Sequence, residues 1–222
     1  MVKLSVTLQG MIEEVSKMDP LCIVSNFLLN DKNIDSTQID FLDWDSDGQI
    51  SYLPSSRVKN TGNEVEDAEK NWTSTSRQKS RPGRVMRSII TRYIDDSALE
   101  KFAYNLDAIN EKKTNIFELV SGEDIRYYYH DDRYNHSCDT GSLRNSCMRY
   151  DKCAPFFDMY VKNPDKIRML IVRRPGTTTI IGRALVWTAD SGQTLLDRIY
   201  GRKSTIDAVK SWAREQGFWH KA

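Results

Sequence analysis

The stretch "KIRMLIVRRPGTTTIIGRALVWTADSGQTLLDRIY", residues 166–200, decides the fold. Three runs rich in Ile, Leu and Val, "KIRMLIV", "TIIGRALVW" and "TLLDRIY", are separated by "RRPGTT" and "TADSGQ". Apolar runs of strand length bounded by Gly, Pro, Asp and Ser read as strands, and joints this short permit only antiparallel neighbours. An antiparallel meander is therefore expected. The segment "STIDAVKSWAREQGF" follows, with Ser204 as N-cap, Ile206, Val209 and Ala213 on one face and Gly217 as its stop. A helix with an apolar stripe beside a sheet with an apolar face gives an α+β class, in which a β-meander packs with helices.

The meander carries polar residues where apolar ones are the rule: Arg183, Asp197, Arg198 and Tyr200. Strand alternation sets Leu195, Asp197 and Ile199 on one face and Leu196, Arg198 and Tyr200 on the other. Charges within such a sheet are costly unless paired, so Asp197 is expected to meet Arg183 across the ladder. The functional alternative has Arg149, Arg183 and Arg198 lining a cleft for an anionic ligand near the N-terminus of the Ser204 helix.

Working outward, "GRVMRSIITRYI" and "DSALEKFAYNLDAI" space their apolar residues by three and four and predict two helices. "IFELV" predicts a short strand, and "SGEDIRYYYH" a helix with a capping-box-like start at Ser121 and Asp124. The three tyrosines, Tyr127 to Tyr129, cannot share one face of that helix. At the N-terminus, residues 6–29 predict two short helices broken at Asp19 and Pro20, and "QIDFLDWDSDGQISYLP" predicts a hairpin about an Asp-Gly pair. Residues 55–82 are polar and poor in aliphatics, so they read as a linker or long loop. The expected organisation is an N-terminal helical and hairpin segment over 1–54, that linker, and an α+β domain over 83–222.

The 222 residues are 39% hydrophobic and 28% charged, with a net charge of +1. That near-neutral sum conceals an acidic region over 31–69 followed by Arg77, Lys79, Arg81, Arg84, Arg87 and Arg92 with no acid among them. Such a run can face phosphates and bind nucleic acid by displacing counterions, or it can neutralise the acidic region before it. Within the hairpin, Asp43, Asp45, Asp47, Gly48 and Ile50 match the opening positions of an EF-hand loop, but Pro54 stands where the bidentate Glu belongs. An acidic hairpin turn is the expectation. No apolar run approaches the roughly 20 residues that span a bilayer, so no membrane partner is expected.

Three of the four cysteines fall in "HSCDTGSLRNSCMRYDKC", residues 136–153. Zinc favours close pairs such as C-x2-C, whereas Cys138, Cys147 and Cys153 are widely spaced, leaving His136 as a fourth ligand of unconstrained geometry. Cys147, between Arg144 and Arg149, is the candidate reactive thiol, against a packing role for the cysteines. The sequence is read as holding no metal and no cofactor.

The ordered blocks "FELVSGEDIRYYY", "GSLRNSCMRYDKC", "FFDMYVKNPDKIRMLIV", "IIGRALVW", "LLDRIY" and "WAREQGFWHK" resemble a family of uncharacterised proteins of tailed bacteriophages and some large viruses, over about residues 81–221. The resemblance implies a phage origin and assigns no activity. The meander and the "AREQGF" helix also resemble the centre of a GNAT acyltransferase, but "GRKST" replaces its glycine-rich pyrophosphate loop. The expected function is an accessory protein that binds a host or phage protein, or nucleic acid, in the host cytoplasm. The alternatives are an enzyme, GNAT-like or thiol-based, acting through Cys147, Arg149, Arg183, Asp197, Arg198 and Tyr200, and a structural component of the virion.

Overall fold

In the computed structural model, which describes residues 2–30, 34–35, 37–45, 47–91 and 93–220, the deciding stretch forms β5 (Ile167–Arg173), β6 (Ile180–Thr188) and β7 (Thr194–Leu196), paired antiparallel in that order. The chain divides into two units, Met1–Asn110 and Glu111–Ala222, rather than at residue 83. Both units mix helices with antiparallel pairing, so the chain is α+β.

In the second unit β4 (Ile116–Val120) pairs antiparallel with β5, and β9 (Trp219–His220) runs parallel to β7. Alternate residues of the central strands feed two cores, as a pleated strand buried on both faces requires. Met169, Ile171 and Leu185 pack with Ile125, Tyr129, Leu143 and Phe157, from α6 (Glu123–Tyr129) and the short 3-10 turns between residues 131 and 157. Leu170, Val172, Ile181 and Val186 pack with Val209 and Ala213 of α8 (Lys203–Glu215). A side chain at Gly182 would meet Thr205 Cγ2 at 2.7 Å, so this glycine lets β6 and α8 approach.

Four local expectations differ. The run "TLLDRIY" is not one strand: after β7 the chain leaves the ladder and returns as β8 (Tyr200–Gly201) farther along β6. The Asp197 carboxylate accepts the Arg198 N–H at 2.7 Å, a local bond that competes with strand pairing. The Asp197 N–H still donates to the Leu185 carbonyl at 2.9 Å, but β7 ends at Leu196, and the residue opposite Arg183 is Tyr200, not Asp197. Helix α8 takes Arg202 as N-cap, with Ser204 buried in its first turn, and α6 starts from Gly122 at φ +60 rather than from a Ser121 box.

The first unit begins with α1 (Val6–Met18), capped by Ser5 Oγ, which accepts the Leu8 N–H at 3.1 Å, and α2 (Ile23–Asn30) follows the expected break. The hairpin forms as β1 (Ile39–Asp45) and β2 (Gln49–Pro54). Residues 55–82, expected as a linker, are folded as α3 (Glu64–Trp72) and β3 (Gln78–Ser80), which adds a third strand to β2. Polar bonds hold most of them, beside an apolar contact in which Trp72 meets buried Phe41 edge-on, ring centroids 5.1 Å apart. Buried Asp67 accepts from the Thr61 N–H at 2.7 Å and hydroxyl at 2.8 Å, and Asn71 bridges the Lys59 N–H and carbonyl. Next come α4 (Pro82–Ile89), with proline in its first turn, and α5 (Asp96–Thr114), whose last residues belong to the second unit. No described helix is long and apolar enough to cross a membrane.

Candidate functional site

The basic run does not form one free cationic arm. Arg77 is turned inward: its Nη2 donates to the carbonyls of Phe41 at 2.6 Å and Ser51 at 2.9 Å, and its Nε to Ser51 Oγ at 2.8 Å. Lys79 pairs with Asp45 at 2.8 Å and reaches Asp47 at 3.8 Å, and Arg87 pairs with Asp96. Arg81 and Arg84 are exposed, and Arg92 lies outside the described residues. The acidic hairpin is thus partly neutralised by the basic run. Asp43, the first residue of the EF-hand-like pattern, binds the Ser5 hydroxyl and the Trp44 N–H instead of converging with Asp45 and Asp47.

The cysteine segment is engaged with itself. His136 receives Arg144 Nη2 on Nδ1 at 2.9 Å, so its Nε2 carries the proton and donates to the Asp131 carbonyl, also at 2.9 Å. The Cys138 and Cys153 thiols donate to the carbonyls of Asn135 and Cys147, each at 3.3 Å. No zinc-like convergence of these side chains is present among the described residues. Cys147 is exposed at the start of a short 3-10 turn, and no described side chain hydrogen-bonds its sulfur.

Of the three arginines expected in one cleft, Arg183 and Arg198 share the Tyr200 ring, with guanidinium carbons 5.0 and 5.2 Å from its centroid. Arg149 lies over Tyr150 instead, at 4.7 Å. Asp197 and Arg198 border a hollow of about 460 Å³ with Lys210 and His220. Arg183 is 1% exposed and donates from Nη1 to the Tyr134 hydroxyl, which itself donates to the Tyr129 carbonyl at 3.0 Å. Burial pushes the Tyr134 phenol above its ordinary value, outweighing the opposing pull of Arg183, so it stays neutral and fills both roles.

A cleft of about 480 Å³ is built where α6 meets the 3-10 turns. Arg126 fastens its wall, binding Glu123 at 2.9 Å, Asp158 at 3.0 Å and the Ala154 carbonyl. Tyr127 and Tyr150, each 43% exposed, present rings backed by cations: Arg133 lies 4.1 Å from the Tyr127 centroid, and Arg149 and Lys152 flank Tyr150. Met148 and Phe157 complete the apolar lining. His130 also borders the cleft. Its Nδ1 accepts the Asp132 N–H at 3.3 Å and its Nε2 meets Asp151 at 2.7 Å, so neither nitrogen offers a free lone pair for proton abstraction.

Sequence reasoning singled out Arg149 of this cleft's surroundings and the split of the three tyrosines. It missed Arg126, His130, Arg133 and Tyr150. The available signal was the interleaving of aromatic and cationic residues in "RYYYHDDRY" and "RYDK", which scatters along the chain and converges only when the turns fold onto α6. No protein-family model, curated protein or solved structure matches the chain.

Proposed function

We propose that the chain is a binding protein rather than a catalyst, an accessory protein of a phage or large virus whose α6 cleft takes a polypeptide segment of a host or phage protein. The observation that carries this reading is the pair of half-exposed tyrosines, Tyr127 and Tyr150, each braced by a guanidinium at the mouth of a cleft that also offers Met148 and Phe157. Aromatic, Met and Arg side chains are enriched where proteins bind proteins, and braced rings lose little entropy on binding. The charges around the cleft favour a polypeptide over a polyanion, because Glu123, Asp132 and Asp151 alternate with Arg126 and Arg133. The origin rests on the block resemblance, and a place in the host cytoplasm follows from that origin.

The catalytic alternative has less support, since His130 has both nitrogens engaged and Cys147 has no described side-chain partner. Panning a random peptide display library on the full chain tests the proposal. Selected peptides are expected to lose about thirtyfold in affinity with Tyr127→Ala and a similar factor with Tyr150→Ala, the size of a hot-spot truncation. Peptides indifferent to both variants would remove the reading. So would tight, steeply salt-dependent binding of single-stranded oligonucleotides at the same tyrosines.

A further inference from the structure

Arg183 is a buried charge that its described neighbours compensate only in part. A guanidinium offers two N–H groups side by side on its Nε/Nη2 edge, the fork that receives both oxygens of a carboxylate. In Arg183 this is the edge left over: Nη1 is taken by Tyr134, while Nε and Nη2 are buried and meet no acceptor among the described residues. The rings of Tyr129, Tyr134 and Tyr200 stand 4.0, 5.0 and 5.0 Å from the guanidinium carbon, and their π faces offset part of the cost of burying the cation. They satisfy neither orphaned N–H. Buried donors of native proteins are paired with protein, water or an ion, and the charge of Arg183 favours an anion.

We propose that the Nε/Nη2 edge of Arg183 is a receptor for a carboxylate, held edge-on by two parallel N–H···O bonds between the tyrosine rings. One guanidinium balances one negative charge, which favours a carboxylate over dianionic phosphate. The acceptor must also lie in the guanidinium plane, beside the ring of Tyr129 that covers its face, which a planar carboxylate meets better than a tetrahedral phosphate. Tyr129 in turn packs on Phe157, a wall of the α6 cleft, with ring centroids 4.8 Å apart. A free small carboxylate and a carboxylate carried on a bound segment share this chemistry, and the site stands whether or not the cleft binds peptide.

The probes are sodium acetate and sodium formate on the full chain, against sodium phosphate and sodium chloride at matched pH and ionic strength. Acetate is expected to raise the melting temperature with the logarithm of its concentration, by about 6–7 °C at ten times its dissociation constant, with phosphate doing no more than chloride. Arg183→Met should abolish the rise, and Arg183→Lys, which keeps the charge and loses the fork, should reduce it. Should these variants fail to fold, the wild-type protein decides alone through the nitrogen-15 resonance of Arg183 Nε–H, recognisable by its contacts to tyrosine ring protons. That resonance is expected to move saturably with acetate. No response to either carboxylate would overturn the site, a response to phosphate alone would overturn the carboxylate assignment, and an undiminished response in Arg183→Lys would overturn the fork.

Discussion

Replacing Arg77 by Met separates a structural from a phosphate-binding role for the basic run. Phe41 sits in a bulge of β1 at φ +52, a left-handed conformation that costs a non-glycine residue about 1–2 kcal/mol. Arg77 Nη2 holds the Phe41 carbonyl and the Ser51 carbonyl together, and its Nε holds Ser51 Oγ. Methionine keeps an unbranched apolar stem but loses the guanidinium, which lies 5.5 Å from the Trp72 centroid, and leaves both carbonyls without this donor. A hydrogen bond to a charged group contributes about 1.5–3 kcal/mol, and three to one partly solvated side chain do not add, so the net loss should be about 3 kcal/mol. For a unit of this size that is a fall in melting temperature of roughly 12–15 °C. Urea unfolding followed by far-ultraviolet circular dichroism measures it, with Arg81→Met and Arg84→Met as exposed controls expected within about 0.5 kcal/mol of wild type. A loss below about 1 kcal/mol at Arg77, together with a parallel drop in nucleic-acid affinity across all three variants, would refute the reasoning and restore the arm.

Glu111→Ala removes the carboxylate that receives Arg202 Nε at 2.6 Å and the hydroxyl of fully buried Thr205, so the second unit should lose about 3 kcal/mol. A double-mutant cycle with Thr205→Val should show coupling between the two residues. Asp45 is held below the ordinary carboxylate value, first by its hydrogen bond from Lys79 and next by the Asp47 N–H. Because the folded value is depressed, the pairing stabilises at pH above the ordinary value and is lost as pH falls through the lowered one. In Lys79→Met the Asp45 carboxyl carbon, followed by NMR, should titrate closer to 3.8, and an unchanged midpoint would dismiss the pair. Gly182→Ala should cost about 1–3 kcal/mol through the clash with Thr205 Cγ2, and Thr205→Ser, which deletes that methyl, should recover part of it.

What the sequence disclosed and what it withheld divide along one physical line. Burial of apolar surface follows a period, so the meander, its α8 helix, the hairpin and α1, α2, α4 and α5 were all legible. Polar satisfaction has no period. Asp67, Asn71 and Arg77 fold residues 55–82 by bonding backbone groups 5 to 36 positions away, and a composition poor in aliphatics gives no sign of it. The same holds at Asp197, whose carboxylate bonds the next N–H instead of a guanidinium, while Tyr200, not a carboxylate, stands opposite Arg183. The expected ion pair was sound in its premise that a buried guanidinium needs a partner; the sheet supplies three tyrosine faces, and the fork is what they leave open. In the α6 cleft, too, the rings and cations come from separate turns of α6 and the 131–157 segment, so the site exists only in the fold. The residues that periodicity explains build the scaffold of this protein. Those that it leaves unexplained, Arg183, Tyr127 and Tyr150 among them, are the ones that meet a ligand in the readings proposed above.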